Sequence, residues 1–183
     1  MMNQKEYFQL KHKSSLNVDE LTKKITFEQA ISLAREMLND ENWDDELHKY
    51  TVLLLEKIRF QYPALWNSTW KNDALLGYAY NIILDYDKRY QSYKRAFEKA
   101  NPPSPQLLIA LARCSIAPGK PPISEQEAIV LVKQAIKTDL YIEGIELLVG
   151  LYKSIGNTEE KKYWEEKLKF SSGKIQLPSL GEG

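Results

Sequence analysis

Few side chains in this sequence could do chemistry, and their spacing argues against most of it. His12 and His48 are the two histidines, and Cys114 is the single cysteine. Neither histidine has a second at His-x-x-x-His spacing or a cysteine nearby, so no zinc site is expected. Cys114 shares a helical face with Leu107 and Leu111, which reads as a small core residue rather than a nucleophile. Glu143 and Glu146 stand one helical turn apart, the pairing that acid–base work would need. That spacing recurs on any solvated helix face, and only burial would perturb such a pair. No Walker loop, dinucleotide fingerprint or Gly-x-Ser-x-Gly elbow occurs. The expectation is a protein with no catalytic residues, no metal and no cofactor.

Composition narrows the class further. The chain has 183 residues, of which 43% are hydrophobic and 27% charged, so it can bury a core of ordinary size. Lys plus Arg equals Asp plus Glu at 25 each, which gives no general field toward nucleic acid or anionic membrane. The acidic run Asp40, Glu41, Asp44, Asp45, Glu46 reads as a solvated loop and helix start. A lone cysteine allows no intrachain disulfide, and the N-terminus shows no signal-peptide pattern. The expected location is cytoplasmic, where the sequon Asn67-Ser68-Thr69 is empty.

The elements that would position these residues are helices in pairs. Thr26 and Gln29 form a capping box ahead of Phe27, Ala30, Ile31, Ala34, Met37 and Leu38 at helical spacing. Leu47, Thr51, Leu54, Ile58 and Tyr62 stripe the next helix, which Pro63 ends. Leu76, Tyr80 and Ile83 share one face of a helix over 71–85. After a turn at Asp85 to Asp87, Tyr90, Tyr93, Ala96, Phe97 and Ala100 face its partner, stopped by Pro102-Pro103. Ser104-Pro105 opens a helix carrying Leu107, Leu108, Leu111 and Cys114. Three prolines and a glycine make 116–123 a loop, after which Ser124 and Glu127 form a second capping box. Ile145, Leu148, Tyr152 and Ile155 define the seventh helix, Gly156-Asn157 the turn, and Thr158 the cap of the last.

Within residues 70–102, Leu76-Gly77 and Tyr80 on one helix, then Tyr93 and Ala96 on the next, resemble a tetratricopeptide (TPR) repeat. Close approach gives the pattern its physical sense: Gly77 admits the second helix, Ala96 sits at the crossing, and the tyrosines fill the space beside it. Asp73 stands in the usual tryptophan slot and Arg89 in the first alanine slot. Ala128, Val132 and Ala135 fit a second repeat; Leu148, Tyr152 and Gly156-Asn157 fit a third. The resemblance covers about 70–169 and implies an all-α fold: a right-handed array of about four antiparallel hairpins over 26–63, 70–102, 104–139 and 142–169. On this reading 26–169 is one domain, 1–25 a partly mobile polar segment and 170–183 a flexible tail.

A TPR array binds a peptide on the inner surface made by the first helix of each pair. The resemblance therefore implies a groove with Lys71, Tyr78 and Asn81 from the second pair, Ile109 and Ala112 from the third, and Glu143, Glu146 and Lys153 from the fourth. The expected function is a non-catalytic interaction module or adaptor for a protein or peptide partner. A clamp for a chaperone's C-terminal carboxylate is not implied, since Ala74 and Tyr78 replace its lysine and asparagine. Two other readings compete: an enzyme with Glu143 and Glu146 as an acidic site, and an RNA-binding repeat using Lys88, Arg89, Lys94 and Arg95. The second is weakened by Asp85, Asp87 and Glu98 close by.

Overall fold

The computed structural model describes residues 17–39, 45–138 and 142–173. Among the described residues the chain is helical, with ten α-helices, one 3₁₀ turn and no strand. It divides into two compact units, residues 1–101 and 102–183.

The first unit holds α1 (Val18–Thr22), α2 (Phe27–Leu38), α3 (Asp45–Gln61), α4 (Pro63–Asn67), α5 (Trp70–Ile82) and α6 (Tyr86–Lys99). Helices α2 and α3 pair, as do α5 and α6. Met37, Leu54, Leu55, Ile58, Trp66 and Leu76 are the large side chains at the centre of this unit. The capping box at Thr26 forms in full, with the Gln29 amide N–H donating to Thr26 Oγ1 and the Thr26 N–H to Gln29 Oε1. Helix α1 lies within a segment expected to be partly mobile. Asn17 Oδ1 accepts from the Asp19 N–H, and Leu21 and Thr22 are buried, so a cap and an apolar anchor hold it.

Helix α5 ends at Ile82, three residues before the expected boundary. Leu84 takes a left-handed φ of 60°, which lets the Asp85 N–H donate to the Tyr80 carbonyl at 3.0 Å and close the helix end. Asp85 also caps α6, accepting from the Lys88 N–H. The pairing of α5 and α6 is close at Gly77: a Cβ there would lie 2.7 Å from Tyr93 Cδ1 and Cε1.

The second unit holds α7 (Pro105–Ala112), a 3₁₀ turn (Arg113–Ile116), α8 (Glu125–Thr138), α9 (Ile142–Ser154) and α10 (Thr158–Gly173). Helices α7 and α8 pair, α9 and α10 pair, and α8 also packs on α9. Ala112, Ala128, Val132, Leu148, Leu151 and Tyr152 form its core. Ser104 caps α7 and Ser124 shares a capping box with Glu127, both as the sequence predicts. At the α9–α10 turn Gly156 is left-handed, and it is Asn157, not Thr158, whose side chain accepts from the Glu160 N–H and caps α10. The last helix runs on to Gly173, past the expected start of the tail at 170. The expectations for residues 1–16, 40–44 and 174–183, His12 included, fall outside the described residues.

Candidate functional site

The surface residues expected to line a groove divide between the two units. In the first, α5 presents Lys71 and Tyr78 to solvent, Tyr78 at 43% exposure. Asn81 is half-buried and already engaged: its Oδ1 accepts from Arg89 Nη1 at 2.9 Å. Arg89 lies buried against the Tyr86 ring, 5.0 Å from its centroid. The buried Arg89 guanidinium thus has Asn81 as an acceptor. Asn81 serves the α5–α6 pairing before it could serve a partner.

In the second unit, Glu143, Glu146, Gly150 and Lys153 lie along one face of α9, all four exposed to solvent. Glu143 faces Arg113 at 3.5 Å, with both side chains half or more exposed, an ion pair of small energetic weight. Ile109 and Ala112 do not join them. Both are buried: Ala112 belongs to the core of the unit, and Ile109 Cδ1 lies 3.3 Å from where a Gly144 Cβ would be. Their apolar side chains are spent on helix packing, so neither offers surface to a partner.

A buried polar node at Asp73 has no counterpart in the sequence expectations. This carboxylate, wholly buried in α5, accepts from Trp66 Nε1 and Arg95 Nε at 3.1 Å each and from Lys99 Nζ at 2.5 Å. Asn72 donates from Nδ2 to the Trp66 carbonyl at 3.1 Å. Three helices are tied at this point, with both Asp73 oxygens taken by donors. Trp66 brings its indole to this point from α4. The arrangement ties the three helices together around a carboxylate that is itself buried.

A second polar group joins Tyr80, Glu56 and Lys88. The Tyr80 hydroxyl donates to Glu56 Oε1, and Lys88 stands 3.6 Å from that oxygen. Burial, then the bond to Glu56, pushes the Tyr80 phenol well above its ordinary range. Tyr50 Oη is buried without a hydrogen-bond partner among the described residues, and burial pushes its phenol up to about 12. Cys114 is buried in the 3₁₀ turn, as expected.

One surface feature is not legible in the sequence. In the second unit a cleft of about 800 Å³ runs between α8, through Lys133, Ile136 and Lys137, and α10, through Glu160, Trp164 and Lys167. Its signal is a pair of lysines one turn apart on α8, but without the helix packing nothing sets them opposite an aromatic pair. Hydrogen bonding to Tyr152 holds the Lys133 ammonium above its ordinary pKa, so it stays charged.

Among the described residues no group of three or more His, Cys, Asp and Glu side chains could hold a metal ion. No helix among them is long and apolar enough to cross a membrane. Compared with family models and with curated proteins, the chain matches none.

Proposed function

We propose that the chain is a TPR-like helical array, right-handed and built of about four hairpins, that binds a protein or peptide segment and does no catalysis. The observation that carries this reading is the contact of Gly77 with Tyr93. A Cβ at Gly77 would stand 2.7 Å from the ring, far inside van der Waals contact. The glycine of the repeat pattern is therefore a packing requirement of the α5–α6 hairpin. The αL turn with capping aspartate or asparagine occurs at both the α5–α6 and α9–α10 hairpins, which fits a repeated unit.

On this reading the partner meets the first helix of each pair through Lys71 and Tyr78 on α5 and Glu143, Glu146 and Lys153 on α9. Lys71 with Tyr78 on α5, and charges of both signs on α9, each suit a peptide segment with polar groups. The cytoplasm is the proposed location. Affinity capture from the native host with wild-type protein and with a Lys71→Glu/Tyr78→Ala variant tests the reading. Both side chains are exposed, so the variant should fold normally and lose its partner. The enzyme alternative gains the ground if one small metabolite raises the melting temperature by several degrees while captured proteins are the same for both chains.

A further inference from the structure

The cleft between α8 and α10 has a floor and rims of different chemistry. Ile136 and the Trp164 ring pack against the core of the second unit and leave part of their surface in the cleft. Tyr163 stands edge-on to Trp164, ring centroids 5.1 Å apart, and is half exposed. Glu160 is satisfied from within: it accepts from Trp164 Nε1 at 3.0 Å and faces Lys133 at 3.8 Å. Lys167 lies over the Tyr163 ring at 5.5 Å. Lys137, one turn beyond Lys133 on α8, is exposed at the edge of the cleft. Lys137 and Lys167 thus stand beside an apolar and aromatic floor, with Glu159 at the same rim.

We propose that this cleft docks an acidic peptide segment. A leucine, isoleucine or phenylalanine of the peptide rests on Ile136 and Trp164, while its Asp or Glu carboxylates meet Lys137 and Lys167. A cleft of about 800 Å³ takes a few side chains of such a segment. The charge pattern selects peptide over nucleic acid. Glu159 and Glu160 line the same cleft with negative charge, which a continuous phosphate backbone cannot avoid. A peptide places its carboxylates only where the lysines are and its apolar side chain between them. This surface is separate from the α9 face of the proposed function, since its side chains come from α8 and α10.

An array of randomised octapeptides probed with the purified chain tests the proposal, with hits measured by fluorescence anisotropy at low and high salt. Enriched peptides should carry an acidic residue within a few positions of a large apolar one and weaken with salt. Lys137→Glu/Lys167→Glu should reduce their affinity roughly tenfold or more, while Lys153→Glu and Tyr78→Ala leave it unchanged. Circular dichroism verifies that the charge-reversed variant remains folded. The proposal is overturned if no peptides are enriched, if those enriched lack acidic residues, or if the double reversal has no effect. It is equally overturned if duplex DNA competes through the same lysines as well as the peptides do. Sensitivity to Tyr78 and Lys153 alone would overturn the cleft and leave the α5 and α9 surfaces standing.

Discussion

Two glycines in helices should respond oppositely to the same added methyl group. Gly150 sits on the exposed face of α9, and a Cβ there would have nothing within 4 Å. Gly150→Ala therefore gains only helix propensity, about 1 kcal/mol. Gly77→Ala gains the same contribution but places its methyl 2.7 Å from two atoms of the Tyr93 ring and 3.1 Å from Cγ. Tyr93 is buried and Cγ lies next to its backbone, so the ring cannot swing clear and the helices must part. Overpacking of this kind costs about 1–3 kcal/mol. The net expectation is a loss of up to about 2 kcal/mol at Gly77 against a gain of about 1 at Gly150. At about 2–4 °C per kcal/mol for a chain of this size, the two melting temperatures should separate by several degrees. Gly77→Leu should lie lower still. Urea titration followed by circular dichroism reads the same difference. If Gly77→Ala stabilises as much as Gly150→Ala, α5 and α6 do not approach closely and the repeat register at 70–102 falls.

Asp73→Ala leaves the Trp66 N–H buried without its acceptor and should cost about 2–4 kcal/mol. Lys99→Met, which takes the donor from the buried Oδ2 but leaves Trp66 and Arg95 on Oδ1, should cost less, about 1–3 kcal/mol in the same urea titration, and no loss from either variant would refute the node. Tyr50 titrates at about 12 when folded against 10.0 in the open chain. A phenol whose pKa is raised by folding contributes stability that is complete below pH 10 and lost as pH rises toward 12. Tyr50→Phe should therefore flatten the fall of melting temperature across that window, and an unchanged slope would contradict its burial. Leu84, exposed and left-handed, should give way to glycine with a gain of about 0.5–1 kcal/mol, seen as a higher urea midpoint. Cys114 should react with a thiol reagent far more slowly in native than in denaturing buffer; equal rates would show it exposed.

Local signals in the sequence are the most readable. Thr26 with Gln29, Ser104 with Pro105 and Ser124 with Glu127 each mark a helix start because donor and acceptor lie within one turn. The stripes through Leu54, Ile58, Leu76, Tyr80 and Leu148 face inward as their spacing requires. Features that depend on partners distant in the chain are not readable. Asp73 looks like a mismatch in a pattern, because Trp66, Arg95 and Lys99 converge on it only once α4, α5 and α6 are packed. Asn81 looks available because the arginine that binds it comes from the next helix. Ile109 and Ala112 look like groove residues because a short, uniformly apolar helix such as α7 has no polar face to fix its rotation. Helix α1 escapes the sequence reading although Asn17, Asp19 and Glu20 carry an N-terminal signature; five residues are too few to show periodicity.

Whether partners are met through the exposed faces of α5 and α9 is open to site-specific photocrosslinking in the native host. A benzophenone amino acid would be placed at Tyr78, at Lys153 and, as a control on another exposed face, at Phe60. Binding through the two helices should trap one protein from both Tyr78 and Lys153 and none from Phe60. A protein trapped from Phe60 alone, with Tyr78 and Lys153 silent, would place the partner elsewhere and refute the proposed mode of binding.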